Sequence, residues 1–143
     1  MLAGRLGGSA CISVNKAVVT QASAAIPVVP LYLSLLAKVM RQKHIDEDPI
    51  AQMVRLFSDF LATDRPRATD EAGRIRLDDR EMRADVQSEV LGLFPQVTTE
   101  NLRQLSDFAG FQREFRNLFG FEVEGVDYEQ PFETNLSLAD SSV

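Results

Sequence analysis

The sequence predicts a mainly α fold with one or two short strands. Apolar residues recur at three- and four-residue steps in several separate runs between Leu31 and Phe119. β-Branched residues concentrate in one early stretch, Ala10 to Val19. Prolines and short polar residues stand where helices begin, at Pro27, Pro30, Asp48, Pro49 and Asp107.

Met1 to Ser9 reads as a turn. Its Gly4, Gly7 and Gly8 form neither a dinucleotide fingerprint nor a Walker loop. Ile12, Val14, Val18 and Val19 mark Ala10 to Val19 as a short buried strand, and Thr20 to Ala25 reads as a small-residue loop. A first helix begins near Pro27 or Pro30 and runs to Lys43, with Leu31, Leu35, Leu36 and Val39 on one stripe and Lys38, Arg41, Lys43 and His44 towards its end. A second starts at Asp48 with Pro49 in its first turn and carries Ile50, Met53, Val54, Phe57 and Leu61. Thr63 to Gly73 is the clear break in composition, and the expected division falls there: residues 1–64 and residues 65–143.

Asp78 and Glu81 have capping-box spacing, which predicts a third helix with Met82, Val86, Val90, Leu91 and Leu93 on its apolar face, ended by Pro95. Thr98 or Thr99 caps a fourth helix with Leu102 and Leu105. Asp107 caps a fifth, with Phe111, Phe115, Leu118 and Phe119 along one side and Gly120 as its left-handed stop. Phe121 to Tyr128 is expected as a short strand or an extended tail, and the last ten residues as frayed chain. A lone strand leaves backbone groups unsatisfied, so the segment before Val19 calls for a sheet whose other strands lie upstream of Met1.

The 143 residues suffice for one domain with a hydrophobic core. A net charge of −6 offers no footprint for nucleic acid or anionic lipid. The longest apolar stretch, Ala22 to Val39, is interrupted by Ser23, Ser34 and Lys38 and by two prolines, which excludes a membrane span. The single Cys11 precludes an internal disulfide and suits a reducing cytoplasm; on its strand it reads as a buried structural thiol.

With one histidine, His44, no histidine triad or multi-histidine metal site can be assembled, so no metal is expected. Asp78, Asp79 and Glu81 read as helix-start carboxylates rather than a catalytic pair, and the phenylalanines from Phe108 to Phe121 as core. Val18-Val19-Thr20-Gln21-Ala22-Ser23 lies between a strand and a buried helix. Such a junction can bind a pyrophosphate, although spacing alone favours an ordinary connection.

Three blocks alter that balance. Ser13 through Val18-Val19-Thr20-Gln21-Ala22-Ser23 to Tyr32 resembles a block of the FabV-type enoyl-acyl-carrier-protein reductases and trans-2-enoyl-CoA reductases. Gly73-Arg74-Ile75-Arg76-Leu77-Asp78-Asp79 with Glu81-Met82-Arg83 is similar to a later block. Val97-Thr98-Thr99-Glu100-Asn101-Leu102, with Leu118-Phe119-Gly120-Phe121 and Gly125-Val126-Asp127-Tyr128, resembles their C-terminal signature. Order and spacing agree over nearly the whole chain.

The resemblance implies the C-terminal part of a Rossmann-type α/β enzyme related to short-chain dehydrogenases, which reduces enoyl thioesters of fatty acid synthesis with NADH. Residues 1–64 would end the catalytic domain and 65–143 would form a helical subdomain. Val18, Val19 and Thr20 would contact the dinucleotide, and Ala22 to Pro27 would border the acyl pocket. The substrate would be enoyl-CoA or enoyl-acyl carrier protein.

Neither Tyr32 nor Tyr128 has a lysine at the family's eight-residue spacing. No catalytic residue is therefore expected in this chain, the tyrosine–lysine pair belonging to a Rossmann part upstream, and the chain alone would be inactive. The C-terminal block carries the family's FAD-binding label, without a phosphate loop or acidic ribose partner to support FAD. The competing reading is a free-standing helical interaction module without reductase activity.

Overall fold

The computed structural model describes residues 10–62 and 68–130. The expected boundary at 64/65, the glycine-rich start and the terminal ten residues lie outside them. The order is β1 (Ile12–Val14), α1 (Gln21–Ala25), α2 (Val28–Gln42), α3 (Pro49–Arg55), β2 (Arg74–Arg76), α4 (Ala84–Leu93), α5 (Leu102–Leu105) and α6 (Phe108–Asn117). A π-helical turn, Leu56–Leu61, prolongs α3, and a 3₁₀ turn, Phe94–Gln96, prolongs α4.

The fold is mainly helical, with two short strands in parallel: Ile12 opposite Arg74, Ser13 opposite Ile75 and Val14 opposite Arg76. The sequence thus supplies a partner that the local reading missed. Only Arg-Ile-Arg-Leu alternates at β2, too briefly for a periodic signal in the sequence. Its single inward residue, Ile75, is fully buried beside Leu77 and Leu56.

Helix α2 is the centre of the molecule. Leu35, Leu36, Val39 and Met40 form one buried cluster with Val86 and Val90 of α4, while Leu33 joins Val19 and Phe111 of α6 in a second. Pro27 is its N-cap and Pro30 lies in its first turn, where a missing N–H breaks no intrahelical bond. Past its end, His44 takes a left-handed φ of 54°, and its N–H donates to Arg41 O at 3.0 Å.

Several local expectations are corrected. Thr20 to Ala25 is not loop: Thr20 caps α1, its Oγ accepting from Ser23 N (3.3 Å) while Ser23 Oγ accepts from Thr20 N (2.9 Å). The third helix starts at Ala84, not at Asp78, because both carboxylates of the supposed capping box are engaged elsewhere. Asp78 pairs with Arg76, and Glu81 accepts from the distant Ala17 N–H. Met82 and Leu91 are exposed, leaving Val86 and Val90, one turn apart, to seat α4 on α2.

The predicted face of α3 is rotated in part. Met53 and Leu61 pack against the Leu56 cluster as expected, but Ile50, Val54 and Phe57 are exposed, whereas Gln52 and Leu56 are buried. Polar contacts set that rotation: Gln52 Nε2 donates to Leu77 O (3.0 Å), and Arg55 Nε and Nη2 reach the buried Glu47 carboxylate at 3.0 and 2.9 Å. Cys11 is exposed rather than buried. Phe121 to Tyr128 forms turns, with Gly125 at φ 81°, and no strand.

Helix α6 follows its sequence in cap, inner face and stop, but Leu118, Phe119 and Phe121, expected as core, lie beyond its end at Asn117 and are exposed. Asp107 accepts from Gly110 N (3.2 Å) as the N-cap, Phe111 and Phe115 face α2, and Gly120 has φ 78°.

Candidate functional site

The chain leaving β1 is held by side chains before it is held by any helix. Lys16 N donates to Gln52 Oε1 (3.3 Å), and Ala17 N donates to both oxygens of Glu81 (3.1 and 3.0 Å). Three residues later the chain is fixed again by the Thr20–Ser23 capping box. Between these points lie Val18, with an exposed side chain, and Val19, whose side chain is buried against Leu33 and Phe111. Among the described residues, the backbone N–H and C=O groups of Val18 and Val19 have no hydrogen-bond partner.

These two residues form one wall of a cavity of about 450 Å³. Leu33, Leu36 and Met40 of α2 and Phe111 and Leu118 of the α6 region also line it. The lining mixes these apolar side chains with charged ones, Lys16, Arg41 and Asp46 among them, a combination common in small-molecule sites. Lys16 Nζ meets Asp46 Oδ1 at 3.3 Å, Arg41 Nε meets Asp46 Oδ2 at 3.4 Å, and Arg41 also pairs with Asp107. This chain of alternating charges ties the segment after β1 to the end of α2 and the start of α6.

Of the three expected cofactor contacts, the structure brings Val18 and Val19 to the cavity and puts Thr20 at the head of α1. The Thr20 and Ser23 N–H groups are turned into the capping box, so those two donors are not offered to a phosphate. Local reading missed Glu81 and Gln52 as holders of this wall. They lie 64 and 36 residues from the amides they bind, beyond the reach of any spacing rule.

Burial pushes the Glu81 carboxyl above its ordinary value; the Ala17 N–H opposes that shift, Asp78 reinforces it and Lys16 opposes it. The two tyrosines serve structure: Gln87 Nε2 donates to Tyr32 Oη (3.1 Å), and Tyr128 Oη accepts from Val123 N (2.8 Å). Among the described residues, no three His, Cys, Asp or Glu side chains converge as metal ligands, and no helix is long and apolar enough to cross a membrane.

A dinucleotide needs backbone donors and acceptors beside an apolar surface, and the Val18–Val19 stretch at the cavity fits one edge of such a ligand. A flavin dinucleotide in the later helices does not fit. The two long helices there begin with carboxylates, Asp85 in the first turn of α4 and Asp107 at the cap of α6, and Asp107 already occupies the Gly110 N–H that a diphosphate would need. Gly73, Gly120 and Gly125 stand in separate turns rather than in one phosphate-wrapping loop.

Two sequence families match the chain: the trans-2-enoyl-CoA reductase catalytic region over residues 2–62, and the enoyl reductase FAD binding domain over residues 69–132. The chain is 52% identical over 138 residues to an enoyl-[acyl-carrier-protein] reductase [NADH] of Coxiella burnetii, covering 96% of this chain and 34% of that protein. A Flavobacterium johnsoniae enzyme of the same name is 56% identical over 124 residues, covering 87% of this chain and 31% of the relative.

The crystal structure of Treponema denticola trans-2-enoyl-CoA reductase in complex with NAD superposes with a TM-score of 0.79 at 44% identity, over 92% of this chain and 34% of that one. The NAD complex of a Clostridium trans-2-enoyl-CoA reductase gives 0.78 at 47%, over 89% of this chain and 33% of that one. The chain therefore spans about a third of the length of the curated relatives it matches.

Proposed function

Because the chain belongs to the NADH-dependent enoyl reductase family, we propose that it forms the acyl-side wall and one cofactor edge of a cytoplasmic enzyme reducing the double bond of an enoyl thioester. The observation that carries this reading is the Val18–Val19 stretch: its backbone is free of partners among the described residues, and its side chains line the cavity. Bound NADH would supply the hydride for the substrate double bond. Val18 and Val19 would border the dinucleotide, Thr20 would fix the chain's exit from that border, and Leu33, Leu36, Met40 and Phe111 would exclude water from the acyl group.

The tyrosine–lysine pair that stabilises the developing enolate is assigned to residues outside this sequence, in a Rossmann-type part. Support for such a larger sheet comes from β1, which is paired with β2 along one edge and has no strand on its other edge among the described residues. A division near 64/65 into the end of the catalytic domain and a helical subdomain is supported by the two family matches, which leave residues 63–68 between them. CoA or acyl carrier protein would deliver the substrate.

The test is crotonyl-CoA-dependent NADH oxidation by this chain alone and by the chain joined to the upstream two thirds of a relative. The joined form should turn over and the chain alone should not. Turnover by the chain alone would overturn the assignment of the catalytic pair. A folded but inactive joined form would return the chain to the helical interaction module.

A further inference from the structure

The cavity wall that carries Val18 and Val19 depends on a residue that lines no part of it. Ala17 N is 3.1 and 3.0 Å from the two oxygens of Glu81, whose side chain is buried, and this donor stands next to Val18 in the chain. The acceptor is itself held. Gln87 of α4 donates through Nε2 to Glu81 O at 2.7 Å and to Tyr32 Oη of α2 at 3.1 Å. Glu81 is thereby connected to α2, which also lines the cavity.

The preceding amide, Lys16 N, has a neutral and longer bond, 3.3 Å to Gln52 Oε1. The next fixed point is Thr20. Two residues whose backbone groups have no partner among the described residues thus hang between a charge-assisted anchor and a capping box, and the Glu81 bond is the stronger of the two amide anchors before them.

We propose that Glu81 is a positioning residue for the cofactor edge: its buried carboxylate holds Ala17 N–H and so sets the course of the Val18–Val19 backbone at the cavity. The inference rests on the reading above, in which Val18 and Val19 border the dinucleotide. The anchor comes from the later half of the sequence, which gives that half a part in shaping the cofactor edge.

The experiment uses the joined enzyme and substitutes Glu81→Ala, Glu81→Asp and Glu81→Gln. Losing a charge-assisted bond should raise the KM for NADH by about tenfold in Glu81→Ala, while kcat stays within about twofold because the reacting groups are untouched. Glu81→Gln keeps one neutral acceptor oxygen of the same reach and should recover part of the KM; Glu81→Asp, which keeps the charge but is one methylene short, serves if the alanine variant does not fold. Hydrogen exchange should quicken at the Ala17 amide, most in Glu81→Ala, with Leu35 and Val39 of α2 unchanged.

An unaltered KM for NADH in Glu81→Ala and Glu81→Asp overturns the inference. So does a rise in exchange throughout α2 that matches the kinetic loss, which would make Glu81 a general support of the fold. An inactive but folded unsubstituted joined enzyme overturns the proposed function first, and this inference with it.

Discussion

Replacing Glu47 by alanine probes the polar contacts that decide how α3 sits. Glu47 is 7% exposed and receives two bonds from Arg55, at 3.0 and 2.9 Å, with Arg80 at 3.8 Å. Two charge-assisted bonds contribute roughly 3–6 kcal/mol net if they act independently, and less because they join the same two groups. Truncating Glu47 removes its own desolvation cost, and Arg55 keeps two acceptors, Leu77 O at 2.8 Å and Asp79 Oδ1 at 2.9 Å. The guanidinium is therefore not left bare, which puts the net loss at about 2–3 kcal/mol, below the range for a fully orphaned buried charge.

For a chain of this size that loss lowers Tm by roughly 10 °C. Glu47→Gln, which keeps one acceptor, should lose about half as much. The assay is guanidinium unfolding of Glu47→Ala, Arg55→Leu and the double variant. A coupling of about 1.5 kcal/mol or more between the two sites is expected. A loss below about 0.5 kcal/mol in Glu47→Ala, or strict additivity in the double variant, would refute the view that this pair orients α3.

Two other perturbations follow from the same contacts. Asp107→Ala removes the α6 cap and one of the two carboxylate partners of Arg41, so a loss of about 1–2 kcal/mol is expected in thermal unfolding. Asp107→Asn, which retains a capping oxygen, should lose less than half of that, and equal losses would make the cap irrelevant. Glu81 has a carboxyl raised by burial, so the folded chain holds its proton more tightly than the unfolded chain does. Its contribution is then most favourable below the ordinary value of 4.5 and declines as pH rises from there through the raised value, with Asp78 and Lys16 facing it. The stability difference between the unsubstituted chain and Glu81→Gln, followed by denaturant midpoint, should shift against the unsubstituted chain as pH rises above about 4.5; a pH-independent difference would contradict it.

The sequence alone determined the elements whose signals are local. Helix α2 was legible because Leu31, Leu35, Leu36 and Val39 repeat at helical spacing over about two turns, and the last three end buried. Helix α6 was legible because an acidic cap, a phenylalanine stripe and a left-handed Gly120 agree with one another. The block from Val18 to Ser23 marked the region of the candidate site, and two of its three proposed contacts reach the cavity.

Tertiary structure decided what sequence spacing misassigned. Asp78-x-x-Glu81 has the pattern of a helix cap, but the nearby Arg76 and the distant Ala17 N–H capture the two carboxylates, and the helix starts later. Ile50, Val54 and Phe57 have the pattern of a buried stripe, but Gln52 and Arg55 find partners at Leu77 O and Glu47 that turn the other face inward. β2 is a strand only because Ile12 to Val14 lies alongside it. In each case a short-range preference worth about 1 kcal/mol yields to buried polar groups, which cost more when left unpaired, and their partners are set by the folded chain.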